Sequence, residues 1–157
     1  MIDDLDHPLA TDAELAECAA GIEAWILDEQ RDNPFVVSHE RDPANRRWLV
    51  RLRGDEKDIT AVWFTLGQRT LHYETYVMPA PEENHAAVYE QALRRNDRLV
   101  GAHFAIGVED ALFLRGDLPL AALTEAELDR VIGSLYAYVE QSFPSLIRLG
   151  YASRFQD

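Results

Sequence analysis

Cysteine is almost absent: Cys18 is the one thiol in 157 residues. A single thiol cannot close an internal disulfide, which points to a reducing compartment, the cytosol. Long apolar runs are missing too. No stretch approaches the roughly 20 residues that a membrane-spanning helix needs. The first stretch, MIDDLDHPLATDAEL, carries neither a basic n-region nor an apolar h-region, which argues against a secretory signal. The expectation is a cytoplasmic protein without a membrane partner. Positive charge is scarce, with 15 Lys and Arg against 28 Asp and Glu and a net charge of −13. Nonspecific nucleic-acid binding rests on cations that neutralise phosphates, so nucleic acid is not an expected partner. An anionic membrane surface is disfavoured for the same reason. Catalytic signatures are lacking as well. Gly54 and Gly67 stand alone, without G-x-x-x-x-G-K-[ST], G-x-G-x-x-G or a G-x-S-x-G elbow. No C-x-x-C or H-E-x-x-H spacing occurs.

What is present suffices for one core: 47% of residues are hydrophobic and 10% aromatic. Residues 1–10 read as a flexible acidic leader, and 11–157 as a single α+β domain. Thr11 and Glu14 spell a capping box, and Leu15, Cys18, Ala19, Ile22 and Ile26 recur at helical spacing. A helix over 12–30 follows, stopped by Asn33-Pro34. Four strands come next. The first is at Phe35–Glu40. In the second, Trp48, Val50 and Leu52 alternate with Arg47, Arg51 and Arg53. The third, ITAVWFTL (59–66), is apolar on both faces and therefore central. In the fourth, Leu71, Tyr73, Thr75 and Val77 alternate with His72, Glu74 and Tyr76. Short turns between them imply an antiparallel meander.

Pro79 and Pro81 end the fourth strand and would blunt a free edge. A helix follows, with Glu82 and Glu83 at its start, Arg94 and Arg95 at its end, and Asn96 as a left-handed cap. Leu99–Ile106 and Ala111–Leu114 read as two more strands, the second ended by Gly116 and Pro119. Thr124 and Glu127 open a last helix, which Pro144 should kink and Gly150 should cap. The order α-β-β-β-β-α-β-β-α predicts an α+β fold with an antiparallel sheet and helices packed on one face.

Few constellations rise above this frame. His72-x-Glu74 lies on one strand face, but a closed metal site needs about four ligands; a polar strand face is the ordinary reading, and no metal is expected. Cys18 sits on the apolar stripe of its helix and reads as core. Arg53-Gly54-Asp55 and Arg115-Gly116-Asp117 repeat an adhesion tripeptide, yet both fit turns, and a cytosolic chain meets no such receptor. Arg46, Arg47, Arg51 and Arg53 form one positive island, and Arg94, Arg95 and Arg98 another. Each is explained by solvated charge pairing or by an anchor for an acidic segment.

Three stretches resemble actinobacterial members of the YbjN family: VWFTLGQRTLHYETYVMPAPEENHAAVYEQALRRN (62–96), HFAIGVEDALFLRGDLPL (103–120) and LDRVIGSLYAYVEQSFPSLIRLGY (128–151). The run from Met78 to Asn96 and Gly107-x-Glu109-Asp110 are the most specific parts. The resemblance implies a regulator of sensory transduction, with a fold similar to type III secretion chaperones. It brings no catalytic residue and no cofactor. It implies binding of a polypeptide segment, often by a dimer, so a protein partner and a homodimer are both expected possibilities. Trp and Arg are favoured contact types, which makes Arg47, Trp48 and Arg51 the candidate protein-binding residues. The expectation is a non-enzymatic, regulatory or stress-related binding module. The alternative is a small-molecule sensor or an enzyme with a pocket under the helices.

Overall fold

The computed structural model describes residues 8–156. Of the acidic leader, residues 1–7 lie outside the described residues; Ala10 donates its N–H to Gln68 O at 2.8 Å. Helix α1 spans Asp12–Asp32. Thr11 and Glu14 cap it reciprocally, each side chain accepting from the other's N–H. Four strands follow: β1 Val36–Asp42, β2 Arg47–Arg53, β3 Ile59–Leu66 and β4 Thr70–Met78. Helix α2 covers His85–Asn96, strands β5 and β6 are His103–Ile106 and Leu112–Pro119, and helix α3 is Glu125–Gly150. The element order and the α+β class are those predicted. The six strands form one antiparallel sheet in the order β1-β2-β3-β4-β6-β5. The apolar run β3 lies inside the sheet, where both of its faces can be covered.

Alternation decides which face meets the helices. Trp48, Val50 and Leu52 of β2, Val62, Phe64 and Leu66 of β3, and Leu71, Tyr73 and Val77 of β4 are all at most 4% exposed. They pack against Leu15, Ile22, Trp25 and Ile26 of α1 and against Leu128, Val131, Ile132, Leu135 and Val139 of α3. The Trp25 ring stands edge-on to Phe64 at 5.6 Å. Its indole N–H donates to Asp129 at 2.8 Å, tying α1 to α3. Among the described residues, no helix lies on the other sheet face.

Several local expectations need correction. Glu82 and Glu83 do not open α2, which begins at His85 behind Asn84 in the left-handed region (φ 55°). Their backbone N–H groups instead both donate to Gly150 O, at 2.9 and 3.1 Å. Asn84 Nδ2 donates to Leu149 O, and the Tyr151 hydroxyl to Ala80 O. Glu83 receives both the amide and hydroxyl of Ser153, while Glu82 takes the guanidinium of Arg154. Residues 79–84 therefore form a socket for the C-terminal end of α3, satisfying carbonyls that a helix end leaves open. The prolines blunt no edge, because β4 is flanked by β3 and β6.

Gly150 is the last helical residue of α3 rather than a left-handed cap. A Cβ there would meet Met78 Cε at 3.0 Å and Pro81 Cβ at 3.2 Å, so close packing explains the glycine. Pro144 does not restart the helix, since α3 runs as one element from Glu125 through Gly150. Thr124 caps α3 as expected, but Glu127 bonds Arg130 instead of completing a capping box. β5 starts at His103, later than Leu99. β6 runs through Gly116 to Pro119, so Arg115-Gly116-Asp117 lies in a strand rather than a turn.

Asn96 is no left-handed cap either. It belongs to the last turn of α2, and its side chain reaches β5. Its Oδ1 accepts from Phe104 N–H at 2.6 Å, and its Nδ2 donates to Phe104 O at 3.4 Å. One side-chain amide thus satisfies both outward backbone groups of Phe104 on the outer edge of β5.

Candidate functional site

The uncovered sheet face is the most developed surface of the molecule. Strand register fixes its side chains in rows. One row reads Glu40, Leu49, Trp63, Glu74, Arg115, His103 across β1, β2, β3, β4, β6 and β5. The next reads Asp42, Arg47, Thr65, His72, Asp117. Arg51 faces the same way, between Ser38 and Ala61.

On the β1–β3 half the arginines are held in place. Arg47 stacks its guanidinium 4.2 Å from the centre of the Trp63 ring and donates Nε–H to Thr65 Oγ1 at 3.2 Å. Such a stack leaves the outer edge of the guanidinium fork free for a planar acceptor. Arg51 pairs with Glu40 at 3.3 Å and bonds the Ser38 hydroxyl. Leu49 is only 3% exposed even on this uncovered side.

On the β4–β6 half the charges satisfy one another. Arg115 donates to Glu74 at 2.8 Å and lies 4.7 Å from the centre of the Phe113 ring. His72 places Nδ1 3.1 Å from Asp117 and Nε2 3.5 Å from Glu74. Both nitrogens of His72 are thus taken by carboxylates, and His72-x-Glu74 is part of an ion-pair row. The hydrogen bond to Asp117, with smaller help from Glu74, raises the His72 pKa against the opposing effect of burial. The same bond lowers the Asp117 pKa.

The signs define a pH window. A raised histidine pKa adds stability below the unfolded value of about 6.5, lost as pH rises through the folded pKa. A lowered carboxyl pKa adds stability above about 3.9, lost as pH falls. The pair contributes most between those limits. Replacing His72 with glutamine is therefore expected to cost about 0.5 kcal/mol near pH 5.5, a figure kept small by solvent screening. The difference should shrink above the folded pKa, as measured by urea denaturation at the two pH values. An equal loss at both would show that His72 charge is not involved.

Trp48 does not join Arg47 and Arg51. It points to the opposite face, is 2% exposed, and reaches Glu23 of α1 through its indole N–H at 3.4 Å. Its burial withdraws it from any surface contact set. The aromatic that does share the face with the two arginines is Trp63. Its place inside an all-apolar run concealed it; counting alternate residues back from the Gly67 turn would have exposed it.

A second cluster sits at the β2–β3 turn. The Glu140 carboxylate of α3 accepts backbone N–H bonds from Asp55, Glu56 and Lys57 at 3.1, 2.7 and 3.5 Å. Lys57 then donates to Tyr76 O at 2.8 Å and lies over the Tyr76 ring, at the margin of the open face. Burial lowers the Lys57 pKa. Cys18 is half-buried against the core, and burial raises its thiol pKa, as expected of a packing residue.

This architecture is an α+β domain with one sheet face that no helix covers among the described residues. The YbjN family model, described as "Putative bacterial sensory transduction regulator", matches residues 20–148. The chain belongs to the YbjN family. It is 34% identical over 110 residues to an uncharacterised protein of Mycobacterium leprae, covering 70% of this chain and 60% of that protein. It is 32% identical over 108 residues to uncharacterised proteins of Mycobacterium bovis and Mycobacterium tuberculosis, covering 69% of this chain and 59% of each. The match thus spans about 60% of the length of these relatives. No helix among the described residues is long and apolar enough to cross a membrane.

Proposed function

We propose that the chain is a non-enzymatic regulatory module that binds a partner polypeptide segment on the β1–β3 half of its open face. The observation that carries this reading is the Arg47–Trp63 stack on a sheet face that no helix covers among the described residues. An antiparallel sheet can leave one face to water, but solvated faces have little use for a half-buried Trp with an arginine laid on it. Trp and Arg are the residue types that dominate binding energy at interfaces. The guanidinium of Arg47 selects a carboxylate on the partner. Arg51, already paired with Glu40, can exchange that exposed partner at little cost. An extended segment bearing acidic residues, lying across the strands, satisfies these contacts.

The test is affinity capture from the native cytosol with three baits: wild type, Arg47→Glu/Arg51→Glu and Trp63→Ala. Circular dichroism would confirm that all three are folded. The reading expects one recurrent partner, lost from both variants. It also expects a photo-crosslink from a probe placed at residue 63 to an acidic segment of that partner. A partner retained by both variants would remove this surface from consideration. A wild-type dimer by light scattering that the charge reversal dissociates would instead make a second copy the occupant.

A further inference from the structure

The last turn of α2 and the chain just beyond it place Arg94, Arg95 and Arg98 around a cleft against α3. The cleft measures about 430 Å³ and is completed by Gln91, Leu99, Gln141 and Ser142. No carboxylate lines it, in a chain with 28 acidic residues and a net charge of −13. Of the acids near it in sequence, Asp97 caps the end of α2 between Arg95 and Arg98 and is exposed, without being part of the cleft wall. Glu140, next to Gln141, is turned into the 55–57 loop. Glu90 pairs with Arg94 at 3.6 Å, both side chains largely exposed.

The arginines differ in how they are held. Arg95 donates to the Ser145 hydroxyl of α3 at 2.8 Å, which anchors its guanidinium to that helix. Arg98 lies past the helix end and has no ion pair among the described residues. Arg94 and Arg95 offset the negative end of the α2 dipole. That accounts for neither Arg98 nor the absence of acids from the walls. The elements are a fixed guanidinium, two adjustable ones, two side-chain amides and an apolar floor at Leu99.

We propose that this cleft binds a small molecule carrying a phosphoryl or pyrophosphoryl group. Guanidinium forks match phosphate oxygens in pairs. Three arginines bordering one cleft suit an anion of two or more charges. The polar amides and Leu99 leave room for an uncharged remainder. Because the protein as a whole repels anions at long range, binding must come from these local contacts. The site lies on the helix side of the sheet, so it is independent of the polypeptide reading of the open face.

The experiment is isothermal titration with inorganic pyrophosphate at physiological ionic strength, with orthophosphate and malonate as comparison anions. The expected result is saturable one-to-one binding of pyrophosphate, tighter than either comparison. Arg98→Gln should weaken it about tenfold, the effect of one charge-assisted contact of about 1.4 kcal/mol. Arg95→Gln should weaken it by at least as much. Arg98 has no internal partner to lose, so its variant carries the test should Arg95→Gln fail to fold. Arg47→Glu/Arg51→Glu should bind as wild type does. No saturable binding up to about 10 mM would overturn the proposal, since affinity would then be below any useful range. So would unchanged affinity in Arg98→Gln, or malonate binding as tightly as pyrophosphate.

Discussion

Gly116→Ala is expected to destabilise the fold by about 3 kcal/mol, at the upper end for overpacking a core. Gly116 sits within β6, opposite Tyr73 of β4. The Tyr73 ring lies across the glycine and its hydroxyl donates to Gly101 O. An added Cβ would stand 2.5 Å from Tyr73 Cε2 and 2.6 Å from Tyr73 Oη, and inside contact distance of the Gly101 carbonyl. Ring and backbone cannot both retreat. Tyr73 is 2% exposed, and Gly101 holds a positive φ of 75° in the turn before β5. Urea denaturation monitored by tryptophan fluorescence would measure the loss. Tyr73→Phe keeps the ring and removes the hydroxyl bond, and should cost only about 1 kcal/mol. A Gly116→Ala loss as small as that would mean the strand can shift, and that close approach is not what the glycine provides.

Glu140→Ala is expected to cost about 2 kcal/mol. Three backbone N–H groups of the β2–β3 turn point at one carboxylate, a charge-assisted arrangement that alanine cannot replace. The bonds lie near solvent, so water recovers part of the loss. Gly54 belongs to the same device, since a Cβ there would run into both the Glu140 carboxylate and the Lys57 carbonyl. Glu140→Gln keeps an acceptor of nearly the same shape and should cost roughly half as much. Amide hydrogen exchange gives the local readout: protection at Glu56 should fall sharply in Glu140→Ala while core amides in β3 change only with global stability. Unaltered Glu56 exchange would show that the turn holds its shape without α3.

Local rules carried the reading a long way. The Thr11–Glu14 box, the Asn33-Pro34 stop, the alternation in β2 and β4 and the element order are all visible because each depends on neighbours a few residues apart. What stayed hidden depends on partners far along the chain. Gly116 and Gly150 look like terminators until Tyr73 and Pro81 are set against them. Glu82 and Glu83 match a helix start by charge, yet their backbone is recruited by Gly150 and their carboxylates by Ser153 and Arg154. Asn96 has the chemistry of a cap and uses it on a strand. The site was half legible. Arg47 and Arg51 share the open face as their spacing implied. Trp48 versus Trp63 turned on strand parity: the alternation in β2 sets Trp48 opposite Arg47 and Arg51, and residue type outweighed it.

The Asn96 amide has a consequence for association. A sheet has two borders, and on one of them a side chain takes the backbone groups that Phe104 would otherwise offer to a further strand. Among the described residues, no side chain is bonded in this way to the outer backbone of the opposite border, β1. Identical copies that paired antiparallel through it would meet by a two-fold axis, and a contact that uses the same border on both copies closes at two. The molecule can thus accept one strand from outside, its own or another's, without becoming the seed of an unlimited stack.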